Sequence, residues 1–145
     1  MAYPPLVTYA TADEYRAHFE SLYCNGPITT FDGIEVRFRK SDFVHCFFES
    51  SRRNGVKDTF SVLRSERIDW IKATLEDPKA ELYQGWDNVR RVIAPERRVA
   101  IVMGNYVAII STYATKTGTI RASFVTAYVA DTGSTLTKIR SGPRW

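Results

Sequence analysis

Between Arg98 and Ala130 the chain carries three runs rich in Val, Ile, Tyr and Phe, at 98–103, 106–113 and 120–130, divided by Gly104-Asn105 and Thr117-Gly118. Residues of this kind fit a pleated, half-buried surface, and the glycine-containing pairs supply tight turns. Connections so short join antiparallel neighbours, because a parallel crossover takes roughly a dozen residues or more. An antiparallel meander is therefore predicted for the C-terminal part of the chain.

The earlier residues read mainly as helices. Thr11 and Glu14 form a Thr-x-x-Glu capping box, and Ala12, Tyr15, Phe19 and Leu22 follow at helical spacing, which predicts a helix over 12–23. Asn25-Gly26-Pro27 should end it, with Gly26 as a left-handed cap. Segments 28–31 and 34–38 flank Asp32-Gly33 and read as a short hairpin. Ser41 is a good N-cap for a second helix, with Asp42 in its first turn. Phe43, Val44, Phe47 and Phe48 make nearly all of that helix apolar, so it is expected to be buried. A third helix is predicted over 63–76, with Ile68, Ile71 and Leu75 on one face and Asp77-Pro78 as its stop. Segment 50–59 reads as a loop, and a linker is expected through Trp86. Helices followed by a meander indicate an α+β fold, with N-terminal helices packed on one face of an antiparallel sheet. At 145 residues the chain is expected to form a single domain over 1–145.

The longest apolar run, 99–103, is strand-sized against the roughly 20 residues needed to span a bilayer. The opening stretch MAYPPLVTYATADEYRAHF lacks a basic end followed by an apolar stretch. No membrane association and no signal peptide are expected, and the expected compartment is the cytoplasm of the producing or of a targeted cell. Residues 1–89 hold 11 basic and 14 acidic side chains, whereas 90–145 hold 9 basic and 2 acidic, Glu96 and Asp131. A cationic half beside an acidic half suits a polyanion-binding face, although a soluble protein with its cations placed late would look the same.

Several chemistries lose their usual supports. The zinc-ligand candidates are His18, Cys24, His45 and Cys46, without Cys-x-x-Cys or His-x-x-x-His spacing, so no metal is expected. Neither a Gly-x-Gly-x-x-Gly fingerprint nor a Gly-x-x-x-x-Gly-Lys loop is present, so no nucleotide cofactor is expected. Cys46 beside His45 is not a nucleophile pair, because adjacent helical positions diverge by about 100°. Cys46 reads instead as a small buried hydrophobe.

His45 is the leading candidate. Within FVHCFF a titratable ring is a cost unless it is bonded or used, and Glu49 one turn later could orient it. A satisfied core histidine is the competing reading. His18 reads as ordinary surface. Arg64, Arg67 and Lys72 with Glu66 and Asp69 read mainly as a solvated face of mixed sign, although Arg67 could reach along a groove edge. In SFVTAYV, strict alternation places Phe124, Thr126, Tyr128 and Ala130 on one face. Thr126 and Tyr128 then offer hydroxyls to a phosphate or base, unless they are simply good β formers. The cations Arg97, Arg98, Lys116, Arg121, Lys138 and Arg140 surround the predicted sheet, with Tyr and Trp nearby for stacking. That combination fits single-stranded nucleic acid better than a small-molecule pocket.

The segments FRKSDFVHCFFES, ERIDWIKATLEDPKAELY, RRVAIVM and FVTAYVADTGSTLTKIRSGPRW, in this order, resemble the phage-type branch of the barnase, EndoU, colicin and RelE-like (BECR) nuclease superfamily. The resemblance covers about residues 37–145, with 1–27 as an additional N-terminal helical segment. It implies a BECR-like ribonuclease fold, in which helices pack on one face of a twisted antiparallel sheet, and a toxin-like endoribonuclease that needs no metal. By position it implies His45 as base or acid, Arg67 as charge stabiliser, and Thr126 and Tyr128 as phosphate donors. Lys116 joins them on charge and loop placement. Arg97, Arg98, Arg121, Lys138 and Arg140 are expected to bind the nucleic acid. The expected partner is RNA, tRNA or another structured RNA included, and an acidic antitoxin or immunity protein would suit the same cleft. The alternative is an RNA-binding or partner-binding module of the same fold without catalysis.

Overall fold

The computed structural model of the chain describes residues 3–50, 57–84, 86–87, 92–93, 98–130, 133–142 and 144. Helix α1 spans Ala12–Tyr23. Strands β1 (Ile28–Thr29) and β2 (Glu35–Arg37), helix α2 (Asp42–Phe47), and strands β3 (Phe48–Glu49) and β4 (Thr59–Phe60) follow. Next come helices α3 (Val62–Ser65) and α4 (Ile68–Glu76), then strands β5 (Glu81–Gln84), β6 (Trp86–Asp87), β7 (Val92–Ile93), β8 (Arg98–Met103), β9 (Tyr106–Ala114) and β10 (Ile120–Val129). Helix α5 (Gly133–Arg140) closes the order. The architecture is α+β around a six-stranded, mostly antiparallel sheet in the order β1-β2-β10-β9-β8-β5. Among the described residues no helix is long and apolar enough to cross a membrane.

Local signals set several elements. Thr11 caps α1, its Oγ1 accepting from the Glu14 N–H at 3.3 Å. Tyr15, Phe19 and Tyr23, four apart, form its buried face. The left-handed cap expected at Gly26 is absent, since positive φ occurs at Gly33, Gly104 and Gly118, and the last turn of α1 closes through the Cys24 N–H onto the Glu20 carbonyl. The hairpin forms as expected but shorter, pairing Ile28 with Val36 and Thr29 with Glu35 around Gly33 at φ +92°. The meander keeps its expected strands to within a residue.

Long-range contacts decided the rest. The helix expected over 63–76 is divided at Glu66-Arg67, where the Glu66 carbonyl accepts from the Val7 N–H at 2.8 Å and Arg67 leaves helical geometry at ψ 21°. An N-terminal strap causes the break: Tyr3 stacks on Trp70 at 4.0 Å, and the Trp70 indole donates to the Pro4 carbonyl. The second helix ends at Phe47, because Phe48 turns into an extended pair with Phe60. The expected linker contains β5, an edge strand antiparallel to β8. Strand β2 pairs with β10 in parallel, so the sheet is not wholly antiparallel.

One face of the sheet meets α1, α2 and α4 in the main core, built on Tyr15, Phe19, Tyr23, Phe43, Phe47, Ile68, Ile71 and Leu75 against Val36, Ile101, Ile110 and Phe124. On the opposite face, at one end, Leu136 and Ile139 of α5 pack on Tyr83, Ala100, Val102 and Val107. The N-terminal helices thus share one face, as expected, and α5 is a helix that the sequence reading did not foresee. Gly, Ser and Thr give α5 weak helix propensity, and the apolar i, i+3 pair on the sheet compensates.

Candidate active site

The site begins with an irregularity in β10. Phe124 pairs with Ile110 but Thr126 with Ile109, so Val125 is an extra residue. Before this bulge Ala122 and Phe124 face the main core, and after it Ala127 does. The bulge corrects the alternation read from SFVTAYV. Phe124 lies opposite Thr126 and Tyr128, while Arg121, Ser123, Thr126 and Tyr128 share the face away from the main core. Register extends that face across the sheet. Arg37, Ser123, Ser111 and Arg98 are successive Cα partners on β2, β10, β9 and β8, and Glu35, Arg121 and Tyr113 form the adjoining row.

His45 stands at the edge of this face. Strand β2 ends at Arg37, so the later half of β10 has no strand on that side and α2 packs there instead. Phe43, Cys46 and Phe47 of α2 turn inward, which leaves His45 exposed rather than buried as the apolar run suggests. Partial burial, and then the charge of Lys57, hold its pKa below the ordinary histidine value. Arg64 and Arg98 push the same way and Asp42 opposes them. An accessible imidazole whose pKa is lowered in this way is able to accept a proton at neutral pH.

Arg64 fastens the site. Its Nη1 donates to the Cys46 carbonyl at 3.0 Å, its guanidinium lies 5.8 Å from the Tyr128 ring centroid, and its Nε is 3.7 Å from the Glu49 carboxylate. Glu49, expected to orient His45, thus pairs with Arg64. Burial raises the Tyr128 pKa against the opposing charge of Arg64, so the phenol keeps its proton. Burial also pushes the Cys46 thiol up to about 11, its Sγ donating to the Ala127 carbonyl at 3.5 Å and a hydrogen bond with the Thr126 side chain opposing the shift. Cys46 is therefore a protonated core residue, and Thr126 is turned toward it.

Other expected site residues lie elsewhere. Arg67 donates to the Leu63 carbonyl at 2.7 Å and sits 4.9 Å from the Trp70 ring centroid. It belongs to the strap contact, and Arg64, less than one helical turn earlier, takes its place. Lys116 is exposed in the β9–β10 turn, six residues beyond Thr126 along β10 counted to Ile120, or roughly 20 Å. Arg121 pairs with Glu35 at 3.5 Å, and Arg140 pairs with Glu81 at 3.0 Å and donates to the Gly104 carbonyl. Lys138 is exposed on α5, and Arg97 lies outside the described residues. Of the expected nucleic-acid contacts among the described residues, Arg98 is the one whose charge acts on His45, from the open face of β8.

Sequence reasoning missed Lys57 and Arg64 as site cations. Lys57 sat in an apparent loop and Arg64 in a mixed-charge run, and neither carries a local mark of its partner. It also missed the bonds of His18, whose Nε2 is 2.7 Å from Asp69 and whose Nδ1 is 2.8 Å from the Tyr9 hydroxyl. These tie α1 to α4 and to the strap. Among the described residues no three His, Cys, Asp or Glu side chains are grouped to hold a metal ion. Compared with protein-family models, curated proteins and solved structures, the chain gives no significant match.

Proposed function

We propose that this chain is an endoribonuclease of the BECR type that cleaves RNA by attack of the 2′-hydroxyl, with the His45 edge of the open sheet face as its active site. The observation that carries the reading is an exposed histidine at the edge of the open sheet face, on α2 beside the Arg64-bound Cys46 carbonyl, whose pKa is lowered by partial burial and by the charges of Lys57, Arg64 and Arg98. Like charges gathered this way repel one another until an anion joins them, and a phosphodiester supplies one. His45 takes the 2′-hydroxyl proton, and the three cations stabilise charge on the phosphorane. The Tyr128 hydroxyl donates to a phosphate oxygen. As the P–O5′ bond breaks, the departing 5′-oxygen takes a proton from water, to which His45 returns its own, so the products are a 2′,3′-cyclic phosphate and a 5′-hydroxyl; DNA, lacking the attacking group, survives. The substrate is RNA in the cytoplasm of the producing or a targeted cell, and an acidic inhibitor would match the same cations.

The test is incubation of the protein and of His45→Ala with total RNA, with and without EDTA, followed by end-group assignment. Cleavage that ignores EDTA, leaves cyclic phosphate ends and falls at least about a hundredfold in the variant is expected for loss of a general base. A 5′-phosphate product, or full activity in His45→Ala, overturns the mechanism. Intact RNA despite salt-sensitive binding would assign the chain to a binding module instead.

A further inference from the structure

We propose that Tyr113 is a stacking platform for an unpaired base adjoining the cleavage position, so that the substrate is single-stranded RNA laid along β9 and β10. This rests on the nuclease reading for the meaning of the cleavage position and deepens it. Tyr113 is 43% exposed although it lies within a nine-residue strand at the middle of the sheet. Ile110 and Thr112 of the same strand are buried, Ile110 in the main core, and alternation directs Tyr113 to the opposite face, which carries Arg98 and Tyr128.

The surroundings match a strand of nucleic acid. Arg121, the Cα partner of Tyr113, is neutralised by Glu35, so the ring is flanked by an ion pair rather than by a bare charge. The adjoining row places Arg37 and Arg98 on either side of Ser111 and Ser123, about 15 Å apart across the strands. From Ile109, the partner of Thr126, to Tyr113 is four residues of β9, or roughly 13 Å. That span accommodates roughly one to two nucleotide steps of an extended single strand. Helix α5 covers the opposite end, on Val102 and Val107, so the path from His45 leads toward Tyr113. Stacking on an exposed ring requires the base to be unpaired, which excludes a continuous duplex.

Two substrates test this: a dinucleotide with one cleavable ribose step, and a hexanucleotide with a single ribonucleotide at its third position in an otherwise 2′-deoxy strand. The ratio of their kcat/KM values is compared among the native chain, Tyr113→Ala and Tyr113→Trp, alongside binding of an all-2′-deoxy hexanucleotide by fluorescence anisotropy. The longer substrate is expected to be preferred, Tyr113→Ala to reduce that preference and weaken binding about tenfold, and Tyr113→Trp to preserve both. An unchanged ratio with unchanged binding in Tyr113→Ala overturns the platform while leaving the nuclease intact. Binding lost in Tyr113→Ala by a protein that cleaves nothing keeps the platform and removes the nuclease reading. Absence of both binding and cleavage removes both.

Discussion

Arg64→Ala separates a structural from a catalytic account of the site, and its cost follows from three contacts. The Nη1 bond to the Cys46 carbonyl, at 3.0 Å, satisfies one of the last carbonyls of α2 with a charged donor. Such a bond contributes about 1.5–2 kcal/mol when the side chain is mostly buried, and Arg64 is 26% exposed. Stacking over Tyr128 adds about 0.5–1 kcal/mol. The Glu49 pair, at 3.7 Å with a half-exposed carboxylate, adds about 0.5 kcal/mol or less. The variant is therefore expected to lose about 2–3 kcal/mol. For 145 residues an unfolding entropy of about 2.1 cal/mol/K per residue makes each kcal/mol about 3.3 °C, so Tm should fall by about 7–10 °C. Circular dichroism melts and urea titrations measure the loss, with Glu49→Gln as the control expected to cost about 0.5 kcal/mol or less. Arg67→Ala should also destabilise, because it loses the Leu63 carbonyl and Trp70 contacts, but it should keep RNA cleavage that Arg64→Ala abolishes. A loss under about 1 kcal/mol in Arg64→Ala, or an equal loss in Glu49→Gln, refutes the ranking of these contacts.

Two more outcomes follow from the same geometry. The acidic limb of the kcat/KM profile should have its midpoint below 6.5, and Lys57→Gln should move that midpoint upward, as followed by NMR titration of His45. Because the unfolded chain binds the proton more readily, His45's contribution to stability is complete above pH 6.5 and is lost as pH falls toward the depressed folded value. Urea unfolding of His45→Gln against the native chain reads that slope, and an unchanged slope contradicts the depressed pKa. Phe19→Ala empties the centre of the aromatic core, where Phe19 is fully buried and meets Tyr23, Phe38, Phe43 and Phe47. It should cost about 3–5 kcal/mol by urea titration, and a loss under about 2 kcal/mol would mean that the core closes around the gap.

The local elements were legible because their causes are local. The Thr11 capping box, the glycine turns and the β-branched runs each act within a few residues, so α1, the hairpin and the meander could be placed closely. His45 was legible for a related reason: a titratable ring amid phenylalanines contradicts its surroundings. The helix break at Arg67 was not legible, since its cause is a backbone bond from Val7, far away in the sequence. Nor was α5, whose poor propensity is overcome by a surface built from β5, β8 and β9.

By itself, the sequence determined an α+β chain with a capped first helix, a C-terminal meander, a cationic half and one conspicuous histidine. Tertiary structure decided which side chains that histidine meets. The parallel joining of β2 to β10, the bulge at Val125 and the turn of α2 along the vacated edge leave His45 exposed at the edge of the sheet, where the charges of Lys57, Arg64 and Arg98 act on it. Side-chain period is a property of the chain, but the residue at which a bulge breaks it depends on the partner strand. Charge composition likewise gives the sign of a surface, and folding selects which cations act on His45 and which pair with Glu35 or Glu81.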